Sequence, residues 1–409
     1  MFFKKRFMIL GLACTLAVPA AGASAEGFAI NEWSAEGVAM GGARMFAEND
    51  AANIAYNPAS ITKVKGEAFK QSAVYISPHG KYEADKKSGG VEKGKNVVHA
   101  GWAPGNYYVK QLNDKDWIGV GLFSRFGMIS EFERNSVVAS NAFFSRLNGA
   151  SLTPTYARKF DNKWSAAVGA EVNYVGLELQ KNVMGTIPTQ TKGESWALGW
   201  NAAANYAFDA KNEIGLVYRS KVTHTMDADF RGYSSAFTGK DHFTKAHGKV
   251  TLPDSWAIGY NHKFNDRTRV ELNGTYTKWS TYDALNIDFD DAFLGQSGSH
   301  SQKNWSNGWR YAIGAEHKLS DKYTIMGGYA YDESAIPFDG ADFIVPTGAR
   351  RTYSLGFQYH DKKQTLGVTL GLIDIDGLRI KGHATDGYSE ARTYDNYAKV
   401  IGISYQRNF

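Results

Sequence analysis

From Ser195 to Asp209 the chain reads SWALGWNAAANYAFD, and its large residues fall on alternate positions. Trp196, Leu198, Trp200, Ala202, Ala204, Tyr206 and Phe208 share one face, while Ser195, Ala197, Gly199, Asn201, Ala203, Asn205 and Ala207 share the other. Successive side chains of an extended chain point to opposite sides, so this period predicts a strand with one lipid-like face and one small, polar face. The same alternation recurs in Trp164/Ala166/Val168/Ala170/Val172/Tyr174, Trp256/Ile258/Tyr260, Tyr323/Ile325/Gly327/Tyr329/Tyr331 and Tyr353/Leu355/Phe357/Tyr359. Each run has about the length of a tilted membrane strand.

A soluble sandwich would alternate too, and the connections separate the two. Short polar turns at 113–116, 160–163, 208–212, 264–268, 318–322 and 360–364 alternate with long segments near 79–95, 129–146, 181–193, 225–246, 281–303, 332–349 and 376–396. Six short turns and seven long loops predict 14 strands. Short connections at one end, long ones at the other and an even strand number are the arrangement of an outer-membrane barrel. The chain ends in ISYQRNF, with Ile401, Ile403 and Tyr405 on alternate positions, which suits a closing strand.

The first 25 residues read as a secretory leader: basic Lys4, Lys5 and Arg6, an apolar stretch to Ala21, and a small-residue cleavage site near Ala25. Lipidation at Cys14 is disfavoured by the short apolar core before it. Cys14 is the one cysteine, so the chain beyond the leader has neither disulfides nor thiolate chemistry. Losing the leader removes three positive charges and lowers the formal net charge from +5 to +2, which gives no reason to expect a nucleic-acid partner. No later segment approaches the roughly 20 apolar residues of a spanning helix. A chain that enters lipid must then close into a barrel, because hydrocarbon offers no partners to backbone N–H and C=O groups.

Residues 26–66 precede the first expected strand and hold GVAMGGARM, NDAAN and YNPAS, small residues and turn formers without a sustained period. Such a segment suits a plug inside a barrel, with Asn57 at a tight turn and Pro58 fixing the backbone. The lumen-facing sets carry Glu171, Arg219, Lys263, Glu271, Arg310 and Glu316. An interior ion-pair network accounts for them, and Arg219, Lys263 or Arg310 as partners of a ligand carboxylate is the functional alternative. No enzyme is expected: GQSGS at 295–299 is not a nucleophile elbow. His224, His242 and His247 have no fixed ligand spacing, so neither a metal nor a cofactor is expected.

GFAINEWSAEGVAMGGARMFAENDAANIAYNPASI resembles the N-terminal hatch of the FadL-type long-chain fatty-acid transporter family of the outer membrane, which includes aromatic-hydrocarbon transporters. Gly27-Phe28, Asn31-Glu32, Gly37, Asp50-Ala51 and Asn57-Pro58-Ala59 carry the likeness, which continues through 252–260, 304–337, 350–360 and Phe409. The resemblance implies an all-β membrane protein, a 14-stranded antiparallel transmembrane β-barrel over 67–409 with the 26–66 hatch in its lumen. It implies passive uptake of hydrophobic compounds, above all long-chain fatty acids: capture in an extracellular groove, transfer to a site near the hatch, and lateral release at a kinked third strand. A toluene-like hydrocarbon channel is the alternative, and a general porin is a weaker one. The candidate ligand residues are Phe28 and Ile30 at the inner site and Phe230, Phe237 and Phe243 in the outer loops, with Arg219, Lys263 and Arg310 as charges. Asn57, Pro58 and Ala59 are the candidate hatch hinge. Gly121, Phe126 and Gly127 are the candidates for a lateral opening, although Arg125-Phe126 stands where the family often has Pro before the glycine. The expected partners are the ligand and the outer-membrane lipid, lipopolysaccharide included, around a monomer.

Overall fold

A computed structural model describes residues 27–97 and 100–409, so the leader at 1–25, with Cys14 and the cleavage position, lies outside the described residues. Fourteen antiparallel strands follow one another round a closed barrel. The first seven are β1 (Glu67–Lys86), β2 (Val91–Lys95 and Gly101–Gln111), β3 (Asp116–Phe123 and Gly127–Glu131), β4 (Phe144–Lys159), β5 (Trp164–Val183), β6 (Ile187–Ala207) and β7 (Asn212–Arg219 and Val222–Gly232). The second half comprises β8 (His242–Leu252 and Ser255–Lys263), β9 (Thr268–Thr277 and Ala284–Phe293), β10 (Gln296–Gln302 and Gly308–Lys318) and β11 (Tyr323–Asp332). It ends with β12 (Arg350–His360), β13 (Gln364–Ile375 and Arg379–Lys381) and β14 (Tyr388–Asn408). Pairing of β1 with β14, from Ala68↔Asn408 upward, closes the cylinder.

The alternation sets the two faces. Along β6, Trp196, Leu198 and Trp200 are exposed while Asn201 and Asn205 are buried in the lumen. Trp164 stacks on Tyr206 at 4.6 Å, and Tyr174 on Trp196 at 5.1 Å, so β5 and β6 carry an aromatic pair at each edge of the lipid face. Ten residues separate Trp196 from Tyr206; at about 3.3 Å per residue and about 40° of tilt they span about 25 Å, the height of an outer-membrane apolar band.

Several of the expected long loops are strand. β5 runs to Val183 and β6 starts at Ile187; β9 and β10 are separated only by Leu294 and Gly295. Met184 and Gly185 have φ of 51° and 79°, and Leu294 and Gly295 have 48° and 80°, the positive pair of a two-residue hairpin whose twist matches its strands. Above the lipid these strands face water on their outer side, so apolar alternation no longer marks them. Long connections without ladder remain chiefly at 132–143 and 333–349.

Residues 27–66 fold back inside the cylinder. Two short helices, α1 (Ala35–Ala39) and α2 (Asn53–Tyr56), and a 3-10 turn at Pro58–Lys63 are buried against the wall. A chain of alternating charges fastens them. Lys70 of β1 binds Glu36 at 2.8 Å and Asp50 at 2.9 Å; Arg44 binds Asp50 at 3.0 Å and Glu316 at 3.1 Å; Arg269 binds Glu316 at 3.1 Å and Glu271 at 2.9 Å. Every member is largely buried, so each charge depends on its neighbours.

Lys70→Met leaves Glu36 and Asp50 without their shared cation, and removing one partner of a buried pair costs about 3 to 5 kcal/mol. The expected result is faster amide exchange over residues 36–52 with unchanged exchange in the strands. At the periplasmic mouth, burial raises the Glu48 carboxyl, but Lys63 and Lys263 outweigh it and hold it at about 2. A depressed carboxyl stabilises the fold above its ordinary value of 4.5, and that contribution fades as pH falls towards 2. The gap in thermal midpoint between the parent and Glu48→Gln should therefore be present at pH 7, narrow below about pH 4.5 and close as pH falls through about 2.

Candidate functional site

The ladder between β2 and β3 runs from Gln111↔Trp117 to Asn106↔Leu122 and stops. It resumes at the outer end, where Val97 N donates to Glu131 O at 2.8 Å. Between these points β3 is interrupted at Ser124, Arg125 and Phe126, which stand opposite only Gly149 and Ala150 of β4. The extra residue bends the strand inward. Arg125 turns into the lumen and binds Glu171 at 2.7 Å, beside Arg219 on the same carboxylate. Backbone groups released from the wall find the plug: Ile30 N donates to Arg125 O at 2.8 Å, and Gly127 N donates to Phe28 O at 2.9 Å. Gly149 makes room for the bend, since a Cβ there would lie 2.3 Å from Phe126 O.

Phe28 sits at the inner side of this break, inside an aromatic box. Its ring lies 4.8 Å from Trp279, 5.3 Å from Tyr282, 5.8 Å from Trp305 and 6.0 Å from Phe126. Gly27 is required beside it, with φ of 52° and a Cβ position 2.3 Å from the Trp305 ring. A cavity of about 70 Å³ adjoins the outer part of β3, lined by Pro78, Gly80, Met128, Phe132, Ile344 and Val345 among others. Above it a larger groove of about 470 Å³ opens between the upper strands and the 333–349 and 376–387 connections. Its walls include Leu179, Phe230, Leu285, Ile287, Phe289 and Ile344, with Lys181 among them. Lys181 donates to Ser299 Oγ at 3.0 Å and forms no carboxylate pair within 4.0 Å among the described residues. Ile344 lines both cavities, so the groove and the cavity at the wall share one apolar partition.

The family model described as outer membrane protein transport protein (OMPP1/FadL/TodX) matches residues 16–409. The chain belongs to the FadL/TodX family. A long-chain fatty acid transport protein of Escherichia coli is 26% identical, over 94% of this chain and 95% of the relative. Among solved structures, a Pseudomonas aeruginosa FadL homologue superposes with a TM-score of 0.84 at 18% identity, over 94% of this chain and 100% of that one. The Pseudomonas putida toluene transporter TodX superposes at 0.70 with 17% identity, over 94% and 99%. These two share the fold. The family makes this chain an outer-membrane transporter of hydrophobic compounds.

Within that frame the expected site residues separate. Phe28 fills the aromatic box itself, and Ile30 packs on Val74, Ile76, Ala398 and Val400 of the wall. Phe230 lines the groove and stacks on Phe289 at 4.1 Å. Phe237 and Phe243 do not join it: they are 66% and 61% exposed, the first in a short helix at the loop tip and the second on the outward parity of β8. The three cations are spent on protein. Arg219 binds Glu171 and donates to the carbonyls of Ile54 and Ala55, closing the end of α2; Arg310 binds Asp332 and Gly41 O; Lys263 binds Glu48 at the periplasmic mouth. These pairings fit the ion-network reading.

Asn57-Pro58-Ala59, the candidate hinge, is tied to the barrel wall. Asn57 Oδ1 accepts from Ala59 N at 3.1 Å, its Nδ2 donates to Asn205 of β6 at 2.6 Å, and Pro58 starts the 3-10 turn. Gly121 remains in the β2–β3 ladder, where a Cβ would meet Ile54 at 2.9 Å; it admits the plug and does not form the opening. Phe126 and Gly127 do border the break. His224 points into the lumen and His247 outward between Asp227 and Asp290, so these histidines do not converge.

Gly149→Val should push Phe126 back towards the wall. The expected outcome is a folded, membrane-inserted barrel with ligand uptake reduced severalfold, checked by uptake in cells beside a heat-modifiability gel of the same variant.

Proposed function

We propose that the protein takes up long-chain fatty acids, holding them first in the outer groove, passing them by Ile344 to the cavity beside β3, and releasing them sideways at the break. The observation that carries this reading is Lys181, a cation with no carboxylate within 4.0 Å among the described residues, set in a groove where Leu, Ile and Phe side chains share the wall with polar groups that include Asp339, Asp342 and Asp386. Each methylene withdrawn from water contributes about 0.8 kcal/mol, less the cost of ordering the chain. An ionised head group gains a charge-assisted bond at Lys181 that a hydrocarbon cannot make. Lateral release suits such a ligand, because an acyl chain leaving through the wall need not enter water. No bond is made or broken, and no cofactor takes part.

One observation favours the alternative, a toluene-like ligand: the box of Phe28, Phe126, Trp279, Tyr282 and Trp305 matches a flat ring once Phe28 moves out.

The test is uptake of a labelled long-chain fatty acid, the corresponding alcohol and toluene, in cells lacking their own transporter. Lys181→Met should lower fatty-acid uptake at limiting concentration by about tenfold, the loss of one charged hydrogen bond, and leave alcohol uptake unchanged. Toluene uptake without fatty-acid uptake would move the function to hydrocarbons.

A further inference from the structure

The lipid-facing side of the barrel carries a polar cleft of about 570 Å³ across β4 to β8. Its position is fixed by the strand register. Tyr174 and Trp196 face each other at the outer edge of the apolar band, and one row further out Glu194 accepts from the Tyr174 hydroxyl at 2.9 Å. The next row crosses five strands with alternating sign: Arg146↔Glu178, Glu178↔Lys192, Lys192↔Asp229 and Asp229↔Lys245 are all register partners. The row stands four residues above the aromatic pair, about 13 Å along the strand before tilt, at the depth of lipid head groups.

Three acids of this cleft are paired, a fourth, Glu194, accepts only from the Tyr174 hydroxyl, and two of the cations have no carboxylate partner within 4.0 Å among the described residues. Arg146 holds Glu178 at 2.6 Å, Lys245 holds Asp229 at 2.7 Å, and His247 holds Asp227 at 2.9 Å. Lys192 stands between Glu178 and Asp229 yet pairs with neither within 4.0 Å, and Arg231, one row further out, lies over the Phe243 ring; neither has a carboxylate partner among the described residues. Two uncommitted cations beside an outward cleft at head-group depth match an anionic, sugar-sized group carried by a lipid whose chains lie against the apolar band below.

We propose that this cleft binds the phosphorylated glycolipid head group of the outer leaflet, of lipopolysaccharide type, with Lys192 and Arg231 contacting phosphate. Arg146 and Lys245, already paired, border the site. The site lies on the opposite side of the wall from Lys181 and goes beyond the transport reading.

The full-length protein is purified from outer membranes in mild detergent, and retained lipopolysaccharide is measured by phosphate and by sugar assay. Lys192→Gln with Arg231→Gln should lower retention by roughly tenfold, while Lys221→Gln, outside the cleft, leaves it unchanged. Added lipopolysaccharide should raise the thermal midpoint of the delipidated parent and not that of the double variant. Equal retention by parent and double variant overturns the proposal, as does an equal midpoint shift from inorganic phosphate or phosphatidylglycerol vesicles. Fatty-acid uptake by the double variant should match the parent, so failure here is distinguishable from failure of the transport reading.

Discussion

Hydrocarbon does not replace a missing backbone partner, and the structure depends on how that requirement is met where the wall is broken. Thirteen of the fourteen junctions run as ladders for much of their length; at the remaining one, β2 and β3 part between Leu122 and Glu131. There the plug substitutes for the neighbouring strand, with Phe28 O and Ile30 N taking up groups on either side of Phe126. The break and the start of the plug are therefore one device. An opening cannot widen without disturbing the segment next to the aromatic box, and that segment cannot move without freeing backbone groups of β3.

The same logic explains why the plug is held by ions. Strand alternation leaves the lumen lined with polar side chains, so a plug docked only by apolar contact would find little to bury. The chain from Glu36 through Lys70, Asp50, Arg44, Glu316 and Arg269 to Glu271 fixes its orientation instead, because each charge has few alternative partners. Buried ion pairs contribute little net stability but penalise misplacement heavily. Asn57 and Arg219 add neutral and charged anchors at α2, leaving the Phe28–Ile30 end as the part held by the fewest polar bonds.

Strand number, the closing strand and the lipid face were legible because lipid imposes period two on every spanning segment. The extramembrane extensions were not. Lys181, Thr189 and Thr191 sit on strands with polar residues on both faces, and the Met184-Gly185 turn lacks the Asn-Gly or Asp-Gly signature of its type. Of the site, Phe230 and Phe126 were within reach of sequence reasoning. Ile344 and Lys181 were not, since cavities formed by residues far apart in sequence leave no spacing to detect. Arg219, Lys263 and Arg310 looked available because their partners, Glu171, Glu48 and Asp332, lie on other strands or in the plug. Lys70 carried a usable signal: it shares the lumen parity of Ala68, Ser72 and Val74, and a lone cation on that face needs an acid opposite.

The β5–β6 ribbon shows what parity can do once the lipid no longer dictates composition. On its inner face Lys181 stands among apolar groove residues; on its outer face Lys192 stands in a row of charges. Both lie beyond the aromatic pair Tyr174 and Trp196, and both lack a protein carboxylate within pairing distance among the described residues. A one-residue slip of β6 against β5 would turn Lys192 from the outer face to the inner one while Lys181 of β5 kept its place. The register pairs from Val172↔Leu198 to Val183↔Ile187 run unbroken between the lipid-facing alternation below and the positive-φ turn above. The membrane pattern below thus sets the chemistry of a ribbon that rises beyond the apolar band.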